Sequence, residues 1–355
     1  MDAFWTGLMA ISGWIHGDVA FLALILAISI LLAYRSSPAA RAHLMAALLT
    51  AFLLVWILKP IIAEPRPCWL VTPSAVTCPL DYAMPSMHAA IAFALAFACL
   101  RRPAFPILYT GAILVALSRI ALGVHTLPEV AAGLAIGMLA VAIADQVVKE
   151  GAVMVTGKKR ATASSAALRP THHEGARKLA QVLLGSLVFG LAWIWGAPAT
   201  VCLLVLVVLA GLFAFYLKMR GVALWLADDL LDLMERPQEP AGFGALTFCM
   251  GLILSLTLLP SDLSLVSVLL LTLSDSAAAL VGAGQPARWP HNPSKSYAGS
   301  AAFLLLAVLP AFYLAGEAGL LMVLIATLIE SLPMGVDDNL LIPFSGLAPL
   351  LLKLM

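Results

Sequence analysis

GAILVALSRIALGVHTLPE, residues 111–129, begins as an apolar run fit for the middle of a bilayer and ends in Arg119, His125 and Glu129. Charge is costly in such a place, and crossing a membrane does not require it. The run therefore predicts a membrane helix. Its charged end calls for a second explanation, which depends on what else gathers at the same face.

The rest of the chain supports the membrane reading. Of 355 residues, 62% are hydrophobic and 11% charged, whereas soluble domains are nearer half apolar and a quarter charged. Net charge is +1, and no basic, aromatic-laced patch points to nucleic acid. No Lys or Arg precedes Arg35, so a basic signal-peptide start is missing and the first span is expected to be retained.

Apolar runs near the ~20 residues needed to cross a bilayer fall at 18–34, 43–62, 84–100, 106–123 and 129–148. A second set falls at 179–196, 198–217, 243–259, 263–283, 300–316, 318–331 and 340–354. The expected fold is all-α and polytopic, with about twelve transmembrane helices in two membrane domains. The first domain is expected at 1–148 and the second at 179–355. The polar, basic segment 149–178 between them reads as a cytoplasmic linker.

With that linker in the cytoplasm and the spans alternating, all but four of the 20 Lys and Arg face inward. The outer exceptions are Lys59, Arg66, Arg119 and Lys353. The first three oppose the trend and sit close to His88, His125 and Glu129 at the same face. Cys68 and Cys78 share an outer loop, where they could pair or remain free thiols. Cys99, Cys202 and Cys249 fall in apolar spans and read as packing residues.

Two Arg, a Lys, two His and an acid suit phosphate-ester cleavage. Arg and Lys neutralise phosphoryl oxygens. One His can attack phosphorus while a carboxylate holds its other nitrogen, and a second can protonate the leaving alkoxide. Four-residue spacing would set His125 and Glu129 on one helix face, although Pro128 marks a helix start nearby. Any one of these residues alone reads more simply as an interfacial side chain. Together, on the side the charge bias disfavours, they do not.

Lys-x6-Arg-Pro at Lys59, Pro-Ser-x-His at Pro85 and Ser-Arg-x5-His-x3-acid at Ser118 resemble, in that order, the type 2 phosphatidic acid phosphatases. The resemblance covers about residues 20–148. It implies a nucleophilic His125 that forms a phosphohistidine, a general acid at His88 and an orienting Glu129. It also implies phosphate binding by Lys59, Arg66, Ser86 and Arg119, and no cofactor. Met87 stands where that family usually has Gly, and Glu129 where it usually has Asp.

The second domain carries its polar residues at the opposite face. Asp275 lies inside an apolar run, where an acid is costly without a role. Lys295 and Ser296 form a Lys-Ser pair without a Walker A motif. Glu330, Asp337, Asp338 and Asn339 cluster further on. The stretch 227–239 adds Asp228, Asp229, Asp232, Glu235 and Arg236, of which Asp232 and Glu235 read as a solvated amphipathic face. Gly282 and Gly284 are equally explained by helix packing.

EGARK (174–178), SDSAAALVGAG (274–284), KSYAGS (295–300) and ESLPMGVDDNLLIP (330–343) together resemble the CTP-dependent kinases of polyprenols and related lipids, including dolichol, phytol and diacylglycerol kinases. The resemblance implies CTP with Mg2+ and nucleotide contacts at Lys295, Ser296, Gly299, Ser300 and Asn339. It implies catalysis or metal binding at Asp275 and metal binding at Asp338. Leu179, Ala180 and Gln181 stand where that family often has a His.

The expected protein is a bifunctional lipid enzyme of the bacterial inner membrane, acting on membrane lipids and CTP. An outward phosphatase would cleave polyprenyl diphosphate, and a cytoplasmic kinase would phosphorylate polyprenol, both yielding the carrier monophosphate. A phosphatidate phosphatase paired with a diacylglycerol kinase is the alternative. A lipid transporter or scaffold with one inactive domain is the alternative of another class.

Overall fold

The computed structural model describes residues 18–34, 36–70, 77–156, 172–222 and 243–354. The acidic stretch at 227–239 and residues 157–171 of the linker lie outside the described residues. Helices account for nearly all the described order, and no strand occurs among these residues. Six helices there are long and apolar enough to cross a membrane, with shorter apolar helices between them. The protein is an all-α, polytopic membrane protein. The chain divides into two compact units, Met1–Lys158 and Lys159–Met355.

The first unit holds α1 (Asp18–Tyr34), α2 (Pro38–Ile62), the short α3 (Pro67–Leu70), α4 (Met87–Ala98), α5 (Phe105–Ala121) and α6 (Leu127–Thr156). Its core is the mutual packing of α2, α4 and α6, with α5 laid on α4. Small residues make that packing close. Ala51, Ala94 and Ala140 meet with no exposed surface. Gly133 and Gly137 lie one turn apart on α6, so side chains there would sit on one face. A Cβ at Gly133 would come within 2.8 Å of Ser86 O, and one at Gly137 within 2.9 Å of Ala94 N.

At 12 residues, α4 is shorter than the run 84–100 expected to span. Its residues 88–97 are all buried, so it is a core helix enclosed by neighbours rather than one matched to lipid. A polar pair marks the other end of this bundle, where His43 Nε2 lies 3.0 Å from Asp145 Oδ1. The sixteen-residue step from His43 to Lys59 puts roughly 24 Å of α2 between the two polar ends.

The second unit holds α7 (His172–Trp195), α8 (Ala197–Met219), α9 (Phe243–Leu258), α10 (Ser261–Leu269) and α11 (Asp275–Gly282). It continues with α12 (Tyr297–Ser331), α13 (Asp338–Leu341) and α14 (Leu347–Leu354). The two runs expected at 300–316 and 318–331 form one element, α12, broken at Gly316 with φ 58° and ψ −138°. That left-handed backbone suits glycine. A Cβ at Gly319 would lie 2.2 Å from Ala311 O, although eight residues of straight helix span about 12 Å. The chain therefore reverses there as a helical hairpin.

The run expected to span at 340–354 is not one helix. A 3₁₀ turn at Ile342–Gly346 separates α13 from α14, because Pro343 supplies no N–H to continue the ladder. Between α10 and α11 the helix widens into a π turn, Leu270–Ser274. Such turns are uncommon and recur at functional sites.

Candidate active site

In the first unit, three connections converge at one end of the bundle: the turn after α2, the entry to α4 and the turn between α5 and α6. His125 stands in the last of these. It does not share a helix face with Glu129, as its spacing would allow, because α6 starts only at Leu127 with Pro128 in its first turn. Thr126, whose carbonyl accepts from Val130 N–H, precedes the helix. Thr126 and Glu129 thus have the spacing of a capping box, which the sequence displays as TLPE.

The Thr126 hydroxyl donates to Glu129 Oε1 at 2.7 Å, and the Thr126 backbone bonds the same carboxylate. The other oxygen, Oε2, lies 2.6 Å from His125 Nδ1. So Glu129, one methylene longer than Asp, reaches the imidazole. On the far side of the ring, Arg66 Nη1 lies 3.1 Å from Nε2. A carboxylate only accepts and a guanidinium only donates. The two neighbours therefore fix the tautomer: Nδ1 carries the proton, and Nε2 presents its lone pair.

Burial holds the His125 pKa well below its usual value, and the positive charges of Arg66, Lys59 and Arg119 push it lower still. Asp81 acts in the opposite sense. These effects favour the neutral ring, the form whose unprotonated nitrogen has a lone pair to offer.

Lys59, Arg66, His88, Arg119 and His125 all line one cavity of about 170 Å³. Apolar walls come from Phe21, Leu22 and Phe52. His88 is buried in the first turn of α4, with the Phe21 ring 4.3 Å from its own. Arg119 ends α5, 1% exposed, and its Nε donates to Ser118 Oγ at 3.2 Å. Ser86 and Glu129 stand behind the cavity. The Ser86 N–H donates to Glu129 O at 3.0 Å, which ties the start of α4 to the start of α6. Ser86 Oγ is fully buried with no hydrogen-bond partner among the described residues. Met87 lines the cavity at half-burial.

One residue here escaped the sequence reading. Asp81 bonds both Lys59 Nζ and Arg66, whose Nη2 lies 2.5 Å from Oδ1. Burial alone would raise its carboxyl, but Lys59 and Arg66 outweigh that and hold it below the usual range. No spacing rule links Asp81 to cations 22 and 15 residues away. Cys68 and Cys78 are joined in a disulfide, which settles the two readings of that pair.

The second unit gathers its charges in two groups. Lys178 Nζ donates to Asp275 Oδ2 at 2.5 Å, and Gln181 Nε2 reaches the same oxygen at 2.9 Å. Gly185 continues that face of α7 against Thr272 of the π turn, where a Cβ would lie 2.0 Å from Oγ1. Gln181, at the position noted for lacking His, is therefore a partner of the buried acid.

In the second group, Lys295 Nζ donates to Asp338 Oδ2 at 2.6 Å and to Glu330 Oε1 at 2.8 Å. Ser300 Oγ donates to Glu330 Oε2 at 3.0 Å, across the mouth of the α12 hairpin. Burial lowers the Lys295 pKa, but Asp338, Glu330 and Asp275 more than offset this and raise it. Ser296 caps α12 through Gly299 N–H, and Gly299 packs on Ala278 O of α11. Asn339 Oδ1 is buried without a hydrogen-bond partner among the described residues. Among the described residues no group of three or more His, Cys, Asp or Glu could hold a metal ion.

No curated protein and no solved structure matches the chain. The family model of the PAP2 superfamily matches residues 40–151. That range contains Lys59, Arg66, Asp81, His88, Arg119, His125 and Glu129, and does not extend into the second unit. Residues 40–151 are thus a PAP2 superfamily domain, with the lipid-phosphatase type of function that this family implies.

Proposed function

We propose that the first unit hydrolyses a lipid phosphate through a phosphohistidine at His125. The observation that carries this reading is the fixed ring: Glu129 on Nδ1, Arg66 against Nε2. Nε2 attacks the terminal phosphorus and forms the P–N bond as the bond from that phosphorus to the leaving oxygen breaks, an anhydride bond in a lipid diphosphate and an ester bond in a monophosphate. His88 gives its proton to the departing oxygen, which leaves as the lipid monophosphate or the lipid alcohol. Water, deprotonated by His88, then attacks the phosphohistidine and releases inorganic phosphate and free His125. Lys59, Arg66 and Arg119 stabilise the phosphoryl oxygens throughout. No step requires a metal. The apolar walls at Phe21, Leu22 and Phe52 suit a lipid tail, and polyprenyl diphosphate is the proposed substrate.

The second unit is proposed to phosphorylate a lipid alcohol, polyprenol, with CTP. Support comes from the paired groups around Asp275 and Lys295 and from the resemblance of the motifs that carry them. Mg2+ commonly takes one or two carboxylates and completes its shell with phosphates and water. Asp275 and Asp338, each engaging a lysine through Oδ2, fit that donor set better than a protein-only cage. Bound Mg2+ would offset nucleotide charge. Lys295 would hold a phosphate, and Asp275 would orient the lipid hydroxyl.

The charge bias favours an outward phosphatase, and the Cys68–Cys78 disulfide suits an oxidising compartment at that face. Purified protein incubated with labelled lipid phosphate and quenched in alkali should carry label, and His125→Asn should not. With γ-labelled CTP, label should pass to polyprenol and be lost in Asp275→Asn. Unlabelled protein would remove the first assignment, and unlabelled lipid the second.

A further inference from the structure

We propose that Asp81 is a specificity-determining residue of the phosphatase site, an internal anion that must leave Lys59 and Arg66 before a phosphoryl group can take them. The proposal rests on reading the cavity as a phosphate pocket.

A guanidinium has five N–H donors. In Arg66, Nε donates to Asp81 O at 2.8 Å and Nη2 to Asp81 Oδ1 at 2.5 Å. Nη1 donates to Val124 O at 3.2 Å and faces His125 Nε2 at 3.1 Å. One donor is left for a ligand. Lys59 divides its ammonium between Asp81 Oδ2 and Tyr82 O. A phosphoryl group seated within reach of His125 therefore competes with the Asp81 carboxylate for the same hydrogens.

Asp81 is built to yield. Its side chain is 54% exposed, against 8% for Lys59 and 5% for Arg66. A released carboxylate can go to water, whereas the cations cannot follow it. The segment that carries it has other anchors. Ala83 N–H donates to Glu64 O at 2.9 Å, Trp69 Nε1 to Pro79 O at 2.9 Å, and the disulfide closes it at Cys78. Arg66 Nε holds the backbone carbonyl of Asp81, not its carboxylate. Losing the carboxylate charge leaves all of these in place.

Two consequences follow. Weak anions are turned away, because they must replace an ion pair already made. Inorganic phosphate, the product, is also expelled as Asp81 returns.

The test uses the purified full chain in detergent and inorganic phosphate as the probe. Phosphate binding is measured by equilibrium dialysis, and its competition with lipid phosphate by initial rates, in wild type, Asp81→Asn and Asp81→Ser. Both variants should bind phosphate about tenfold more tightly, near the lower end of common coupling energies. KM for the lipid should fall, with no matching rise in kcat. A residue that merely positioned Lys59 and Arg66 would give weaker phosphate binding in both variants. Equal or weaker binding overturns the proposal and leaves the pocket reading intact. No phosphate binding in any of the three proteins overturns both.

Discussion

Arg66 Nη1 lies 3.1 Å from His125 Nε2, on the side of the ring opposite Glu129. A fixed cation against that nitrogen disfavours a second proton on the ring. The pKa of His125 is accordingly depressed, first by burial and then by Arg66, Lys59 and Arg119. The unprotonated ring is the reactive one, so phosphatase activity assigned to His125 should persist as pH falls past the ordinary 6.5 and fail only below it. Asp81 raises the same pKa, so Asp81→Asn should move the acid limb to still lower pH. A kcat/KM profile for both proteins checks the sign, and a limb moving upward would contradict it.

Glu129→Gln should cost roughly 10²- to 10⁴-fold in kcat, because an amide no longer fixes the tautomer. Glu129→Asp should also lose activity, since the turn from His125 to α6 is set for the longer side chain at 2.6 Å. Thermal stability measured beside kcat separates lost chemistry from lost fold.

Close packing of α4 on α6 gives a third expectation. Gly137→Leu would drive a side chain against the Ala94 and Ala90 backbone. Overpacking of this kind costs about 1–3 kcal/mol. A lowered unfolding midpoint in detergent is expected. Gly133→Val should add loss of phosphatase activity, because its neighbour is the carbonyl of Ser86, beside His88.

The buried pair Lys178–Asp275 provides a fourth. Removing one partner strands a charge, at about 3–5 kcal/mol. Lys178→Met and Asp275→Leu should each destabilise the second unit, and the double variant should recover much of the loss. The proposed kinase activity should be lost in all three, while the proposed phosphatase activity of the first unit persists. Differential unfolding of the variants, with both assays, reads this out.

Periodicity and apolar length located the helices because hydrocarbon imposes them locally. The separate runs 300–316 and 318–331 already placed a break where Gly316 reverses the chain, whereas the run 84–100 did not disclose the short α4, whose lining is other helices. The residues that meet at the first unit's cavity were legible because each lies in a dense local pattern. Asp81, Lys178 and Gln181 were assigned no role there, since their partners are distant in sequence and only folding joins them. Thr126 was missed although TLPE carries a capping signal, because Pro128 and Glu129 were read for other reasons.

The Cys68–Cys78 bridge acts on the segment that leads to Asp81. Tying off a loop of this length removes about 3 kcal/mol of unfolded-chain freedom. The placement of Asp81 beside Lys59 and Arg66 is then supported by the oxidation of two thiols and not by substrate binding. Under a strong reductant Asp81 would be held less firmly against Lys59 and Arg66, and its weaker competition would be read as a lower KM. Redox history thereby becomes a determinant of apparent affinity, in a protein whose proposed hydrolysis involves no electron transfer.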